Sequence, residues 1–285
     1  LWRAAGGESE VWIRGSSIVA GLATIVAVAA LGREAFGPRA GLLAGLLLAV
    51  HLVHVGVSAE ARFYTLLALC VWSAALAAWR WTRHGGAGVA ALLVAAEAAG
   101  LWTHYLAGAV WLFLFAWGVI ALRSERRRLV QWLGLHAAVA VLFAPQLPLF
   151  LSQLGRNAES HWIHPPSAGD VLTLVRRVGF GAWYLVPPVG LAALLPLLRA
   201  PERRAAGLLA TLVAGPVLLT LGLTMLGAHL FTIRYMYFVI PGVCVLVAAG
   251  LAGLRAPWLR TAAWVALAAL ALRTTWIKPP IPESK

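Results

Sequence analysis

Charge is what this chain has least of. Only 12% of its 285 residues are Asp, Glu, Lys or Arg, where a soluble domain carries about a quarter. Asp170 is the sole aspartate, and the two cysteines, Cys70 and Cys244, both fall inside apolar runs. The shortage of charge excludes an ordinary soluble domain of this length. The cysteines read as small buried hydrophobes, with neither a disulfide framework nor a metal-binding pattern. A Gly-rich phosphate loop is missing, which removes a nucleotide-binding module. Internal repeats and long linkers are missing too, as are the short alternating segments of a membrane β-barrel.

What the chain does have is hydrophobic residues, 61% of the total. They come in blocks of about 17–23, the length that crosses a hydrocarbon core about 30 Å thick at 1.5 Å per residue. The fold class read from this is all-α, a polytopic transmembrane helical bundle of about ten spans. The spans run over 16–32, 40–57, 63–81, 87–103, 106–122, 130–152, 182–198, 206–228, 235–254 and 258–272. Residues 1–285 form one transmembrane domain. Its one sizeable connection, 153–181, is an external loop with a short amphipathic helix at the interface, capped at its start by Asp170.

The net charge of +13 would suggest nucleic acid in a soluble protein. Here arginines collect in every second connection: Arg33/Arg39, Arg80/Arg83, Arg123–Arg128, Arg199–Arg204 and Arg255/Arg260. By the positive-inside rule those connections are cytoplasmic, and no nucleic-acid partner is expected. The opposite face then carries most of the remaining polar residues. These are Glu60-Ala-Arg62-Phe-Tyr64, Thr103-His104-Tyr105, His161 through His164, and His229 leading to Arg234-Tyr235. A guanidinium at such a rim offers a fixed fork of donors to a phosphate, and aromatic rings beside it stack on sugar faces. The plainer reading is an aromatic belt with snorkelling arginines.

Inside the spans, Glu97 is expected to pair with an Arg or His of a neighbouring helix. His51 and His54 lie three apart, but two histidines without a carboxylate make a poor metal site, and no metal centre is predicted.

The order of these motifs resembles the GT-C membrane glycosyltransferases, in the branch similar to protein O-mannosyltransferases and the RgtA/B/C/D-like lipid-sugar transferases. The likeness rests on GGESEVWIRGSSIVAGL, on the run that ends in Glu-Ala-Arg62-Phe-Tyr64, on WTHYLA, on HWIHPPSAGDVL and on RYMYFVIPG. The resemblance implies transfer of a sugar from a polyprenyl-phosphate-linked donor to a lipid, glycan or protein acceptor. The expected setting is the extracytoplasmic face of a bacterial plasma membrane. It further implies that Arg62 and Arg234 hold the donor phosphate, and that Tyr64, Tyr105 and Tyr235 line the pocket. His104 would orient the acceptor or a phosphate oxygen, and Trp162 would help close the site. No cofactor is certain, although some members bind a divalent metal.

The family's acidic catalytic residue sits on a first external loop, after a first span. Glu8 and Glu10 match a later, non-catalytic part of the pattern, so that acid is expected upstream of Leu1. Two explanations are open: a piece of a longer protein, or a degenerate member with little activity. Two other functions also remain, a transporter or flippase of a lipid-linked anion and a non-catalytic membrane subunit. A transporter should show internal repeats or paired broken helices at the midplane.

Overall fold

The computed structural model describes residues 9–159, 166–228 and 230–277, and all regular structure among these is helical. Helix α1 (Glu10–Phe36) starts where the Ser9 hydroxyl accepts from the Trp12 amide at 3.3 Å, the usual way to satisfy a first-turn N–H. It stops at Gly37, whose φ of 96° is strained for any residue with a Cβ. Pro38 then opens α2 (Pro38–Ala49), occupying a first-turn position where its missing N–H costs nothing. The chain doubles back, and α1 and α2 cross on small residues. A Cβ at Gly41 would lie 2.5 Å from the Ala29 carbonyl oxygen and 2.6 Å from the Arg33 Cβ. Close backbone approach on glycine is a common way for helices to associate in lipid, where hydrophobicity gives no drive.

After α2, His51 takes an extended conformation (φ −73°, ψ 118°) and α3 (Leu52–Ser58) turns away by 62°. A tight turn follows, with the Glu60 amide donating to the Val57 carbonyl at 3.2 Å and the Arg62 amide to the Glu60 carbonyl at 2.9 Å. Helix α4 (Tyr64–His84) starts directly behind it. Then come α5 (Ala87–Thr103), α6 (Ala107–Leu122), α7 (Arg126–Phe143), α8 (Leu147–Glu159), α9 (Ala168–Val178), α10 (Val186–Leu198) and α11 (Arg203–Met225). A 3-10 segment, Ile233–Val239, leads into α12 (Ile240–Ala252), and α13 (Pro257–Ile277) closes the order. Helix α12 is buried at every position from Ile240 to Leu251. It is apolar all round and forms the centre of the bundle.

The ten-span expectation is not met among the described residues. Four helices are long and apolar enough to cross a membrane: Val11–Phe36, Arg126–Gln153, Ala200–Met225 and Ile233–Ala252. Two bent pairs raise the number to six, Pro38–Ala49 with Leu52–Ser58, and Ala168–Val178 with Trp183–Leu198, which bend by 62° and 67°. Apolar blocks at 40–57 and 182–198 thus do not become single straight spans. Helices α5 and α6, of 17 and 16 residues, fall just under the usual spanning length.

A short helix, α9, forms within the segment 153–181, and its cap differs from the one expected. Ser167 is the N-cap, and Asp170, three residues on, accepts from the Ser167 backbone at 2.8 Å while its own amide donates to the Ser167 hydroxyl at 3.2 Å. Asp170 is therefore the return half of a capping box.

The two ends of the bundle differ chemically. At one, Arg80 grips Glu34 with Nε and Nη2 at 2.5–3.1 Å, and Arg83 donates to the Glu34 carbonyl at 3.3 Å. Arg128 donates to the Thr82 carbonyl at 3.2 Å there. At the other end lies the turn that carries Arg62. Between them, Glu97 of α5 meets His136 of α7 at 3.3 Å, the pairing expected from sequence, with side chains only 3% and 2% exposed. His136 Nδ1 lies 3.1 Å from the Trp132 carbonyl, which can only accept, so Nδ1 carries a proton.

The α1–α2 crossing yields a test. Gly41→Leu should lower folded yield and thermal stability by about 1–3 kcal/mol or more, as overpacking does. Gly56→Ala, where an added Cβ meets nothing within 4 Å, should be close to neutral. Thermal melts of the purified protein in detergent compare them, and an unchanged melting temperature for Gly41→Leu would contradict the crossing.

Candidate functional site

The residues at the arginine-bearing turn converge because three elements are tied to one another there. The first tie is Ser17 of α1, whose hydroxyl donates to the Arg62 carbonyl at 3.2 Å and fixes the turn against the bundle. The second is Trp72, two turns into α4 and fully buried, whose indole N–H donates to the Phe238 carbonyl at 2.8 Å. A buried indole N–H needs an acceptor, and this one holds the 3-10 segment against α4. Gly242 makes room, since a Cβ there would overlap the Trp72 ring. The third tie is the bond of 2.5 Å between His54 Nδ1 and the Tyr237 hydroxyl, which joins α3 to the same segment.

These ties place Tyr235 and Arg234 beside the start of α4. Phe63 is the hub. Its ring centroid lies 4.5 Å from Tyr64, 4.5 Å from His104, stacked, and 6.0 Å from Tyr235. His104 meets Tyr235 edge-on at 4.6 Å. Arg62 Nη1 donates to the Tyr64 hydroxyl at 3.4 Å, and Arg62 Nε lies 3.7 Å from the Glu60 carboxylate. The Tyr235 hydroxyl lies within electrostatic reach of Arg62, Arg234 and Tyr64 together. Both arginines are solvent-exposed, whereas Tyr64 is buried. Two guanidinium groups and two phenols thus border one exposed rim, a donor set suited to a phosphate.

His104 is the C-cap of α5, where its extended backbone ends the helix. Its Nδ1 accepts from the Leu106 amide at 3.1 Å. An accepting Nδ1 leaves the proton of the neutral ring on Nε2. Burial pushes the ring down to about 4, because desolvation disfavours the charged form. At neutral pH His104 is therefore an uncharged donor rather than a third cation.

The candidates nominated from sequence divide. Arg62, Tyr64, His104, Arg234 and Tyr235 come together. Tyr105 does not join them by ring contact: it turns toward Phe150 at 4.9 Å and Phe143 at 6.4 Å. Trp162, His161, His164, Glu8 and His229 lie outside the described residues. His51, the residue before α3, packs on Phe180 at 4.5 Å, while His54 of α3 meets Tyr237. No group of metal-ligating side chains occurs among the described residues. Sequence reasoning missed Phe63, Ser17 and Trp72. Phe63 stands inside the quoted motif, but nothing in a sequence shows that its ring meets residues 104 and 235.

Residues 3–149 match the family model of dolichyl-phosphate-mannose-protein mannosyltransferases. Two solved structures share the arrangement of helices. ArnT from Cupriavidus metallidurans bound to undecaprenyl phosphate superposes with a TM-score of 0.67 at 19% identity, covering 94% of this chain and 51% of ArnT. The archaeal oligosaccharyltransferase AglB from Archaeoglobus fulgidus, in complex with an inhibitory peptide and a dolichol-phosphate, gives a TM-score of 0.56 at 15% identity. It covers 96% of this chain and 45% of AglB. The chain thus spans about half the length of the solved structures it matches. No curated protein matches it in sequence.

The depressed His104 ring gives a signed prediction. Between about pH 6.5 and 4 the unfolded chain takes up this proton and the folded one does not, so acidification across that window removes stability. Above pH 6.5 the contribution is constant. Titration of isotope-labelled histidine by NMR, with His104→Gln to identify the signal, should give a midpoint near 4. A midpoint near the ordinary 6.5 would contradict the packing.

Proposed function

Because the chain belongs to the dolichyl-phosphate-mannose-protein mannosyltransferase family, we propose that it forms the donor-binding part of a polytopic GT-C glycosyltransferase that uses a polyprenyl-phosphate sugar. The observation that carries this reading is the meeting of Arg62, Tyr64, Arg234 and Tyr235 at one rim.

Their chemistry fits the reaction. A polyprenyl-phosphate sugar is a phosphodiester with one negative charge. When an acceptor hydroxyl attacks the anomeric carbon, the bond from that carbon to the phosphate oxygen breaks. Its electron pair stays on the departing phosphate, which gains a second charge. In this reading Arg62 and Arg234 bind that growing charge more strongly than the starting one, and such differential binding accelerates transfer. The Tyr64 and Tyr235 hydroxyls supply neutral donors beside them. His104, uncharged, donates from Nε2 to a phosphate or acceptor oxygen. The stacked faces of Phe63 and His104 border the place where a sugar ring would lie. Glu60 is read as the partner of Arg62 and not as the base that removes the acceptor proton; no residue of this chain is assigned that role.

The reading puts the rim on the extracytoplasmic side of a bacterial plasma membrane. Support comes from the arginines gathered at the opposite end, which the positive-inside rule makes cytoplasmic. The acceptor is a lipid, glycan or protein hydroxyl or amine.

The test is sugar transfer by the full-length protein from a radiolabelled polyprenyl-phosphate sugar in membranes. Arg62→Ala and Arg234→Ala should each lower activity by about tenfold or more, the worth of a charge-assisted hydrogen bond. Binding of the unglycosylated polyprenyl phosphate should weaken in parallel. Full activity and unchanged binding in both variants would overturn the assignment.

A further inference from the structure

A second concave site lies at the basic end, away from the proposed donor rim. It is a cleft of about 370 Å³ between the turn joining α4 to α5 and the flank of α7. Trp81 forms its inner wall, Gly85, Gly86 and Ala87 its rim, and Arg128 and Gln131 its polar side. Glycine keeps it open. A Cβ at Gly85, Gly86 or Gly134 would meet nothing within 4 Å, and Gly134 also lines the cleft.

The charges around it are mostly positive. The segment Arg123–Arg128 holds four arginines and one acid, Glu125, and Arg83 stands at the end of α4. Arg128 is the arginine that lines the cavity. It reaches the Thr82 carbonyl at 3.2 Å and Glu125 at 3.5 Å, both through Nη1, so Nε and Nη2 remain as donors in its planar fork. Across the cleft, the first turn of α5 has no side-chain cap, and its amides add donors of the same polarity. The remaining wall is apolar, with Trp81, Ala90 and Leu135.

We propose that this cleft binds an anionic phospholipid of the surrounding leaflet. Its headgroup phosphate would sit at Arg128 and Gln131, and its acyl chains would lie along α7. Three observations favour a lipid over a soluble anion. The cleft is mainly apolar, it lies against the first turns of Arg126–Gln153, a helix long and apolar enough to cross a membrane, and further arginines adjoin Arg128 in sequence. Basic pockets between transmembrane helices recognise anionic headgroups in this way. The occupant differs from the sugar donor in place and in role: it anchors the end of α5 against α7, and no transfer chemistry is assigned to it.

Native mass spectrometry of the full-length protein, released from nonionic detergent with phosphatidylglycerol or phosphatidylcholine added, tests this. Phosphatidylglycerol should be retained in preference. Arg128→Gln should reduce its retention about fivefold, the worth of one arginine near an anionic headgroup. Gly134→Phe, which fills the cleft from a position with open space around it, should reduce retention as much while leaving the charge intact and the melting temperature unchanged. Arg126→Gln, outside the lining, should stay within about twofold, as exposed charges usually do. The proposal fails if the two lipids are retained equally, if neither Arg128→Gln nor Gly134→Phe weakens binding, or if Arg126→Gln weakens it as much as Arg128→Gln. It also fails if inorganic phosphate at the same concentration displaces the lipid, since the site would then be one for a free anion.

Discussion

The hydrogen bond from Trp72 to the Phe238 carbonyl is the constraint on which the rim depends. The Trp72 indole lies in the apolar centre, where an unmet N–H costs several kcal/mol, so its acceptor is effectively obligatory. From that point α4 runs back eight residues to Tyr64, about 12 Å at 1.5 Å per residue. The 3-10 segment runs back four residues to Arg234, about 8 Å at 2.0 Å per residue. One buried contact thus sets where two distant stretches of chain emerge. Gly242 belongs to the same device, because any side chain there would displace the indole. The bond between His54 and Tyr237 fixes the segment from a second direction, so neither sliding nor rotation of the 3-10 turn is left open.

Polar groups elsewhere in the bundle follow the cost of burying them. At the basic end, charges meet partners that satisfy several donors at once, as Arg80 does with Glu34 and Arg199 with the carbonyls of Ala249 and Gly250. In the interior, the pair of Glu97 and His136 is nearly sealed, where a lone charge would be costly. The Trp132 carbonyl, which accepts from Nδ1 of the same ring, completes the contacts on one side. These contacts hold α5 to α7, the two helices whose far ends carry His104 and the lipid cleft.

Much of this was legible in the sequence, for reasons of solvent. Apolar blocks must enter lipid, and arginines must leave it, so the fold class and the grouping of Arg62, His104 and Arg234 on one end could be read without coordinates. Glu97 needed a partner, and one was found. The bends were not legible. The block at 40–57 is apolar throughout, yet it breaks at His51 because His51 packs on Phe180 and His54 on Tyr237, contacts separated by more than a hundred residues. The fate of Tyr105 was hidden for a similar reason. It adjoins His104 in sequence, but the backbone leaves the helix between them and sends the two rings to different neighbours. Phe63 was overlooked because hydrophobicity alone carries no direction.

Arg80 and Arg62 are held in different ways. Arg80 engages Glu34 through two nitrogens in a bidentate fork, a geometry that holds both groups in place. Arg62 meets Glu60 through one contact of 3.7 Å, with the two side chains 50% and 44% exposed. A pair so long and so wet is worth little, and the Tyr64 hydroxyl at 3.4 Å is a weak tie as well. At Arg80 an anion would have to break a closed fork to claim the guanidinium, whereas these two contacts of Arg62 are long. The backbone of Arg62, by contrast, is pinned by Ser17. A backbone fixed in advance lowers the cost of ordering the side chain it carries when that side chain meets a partner.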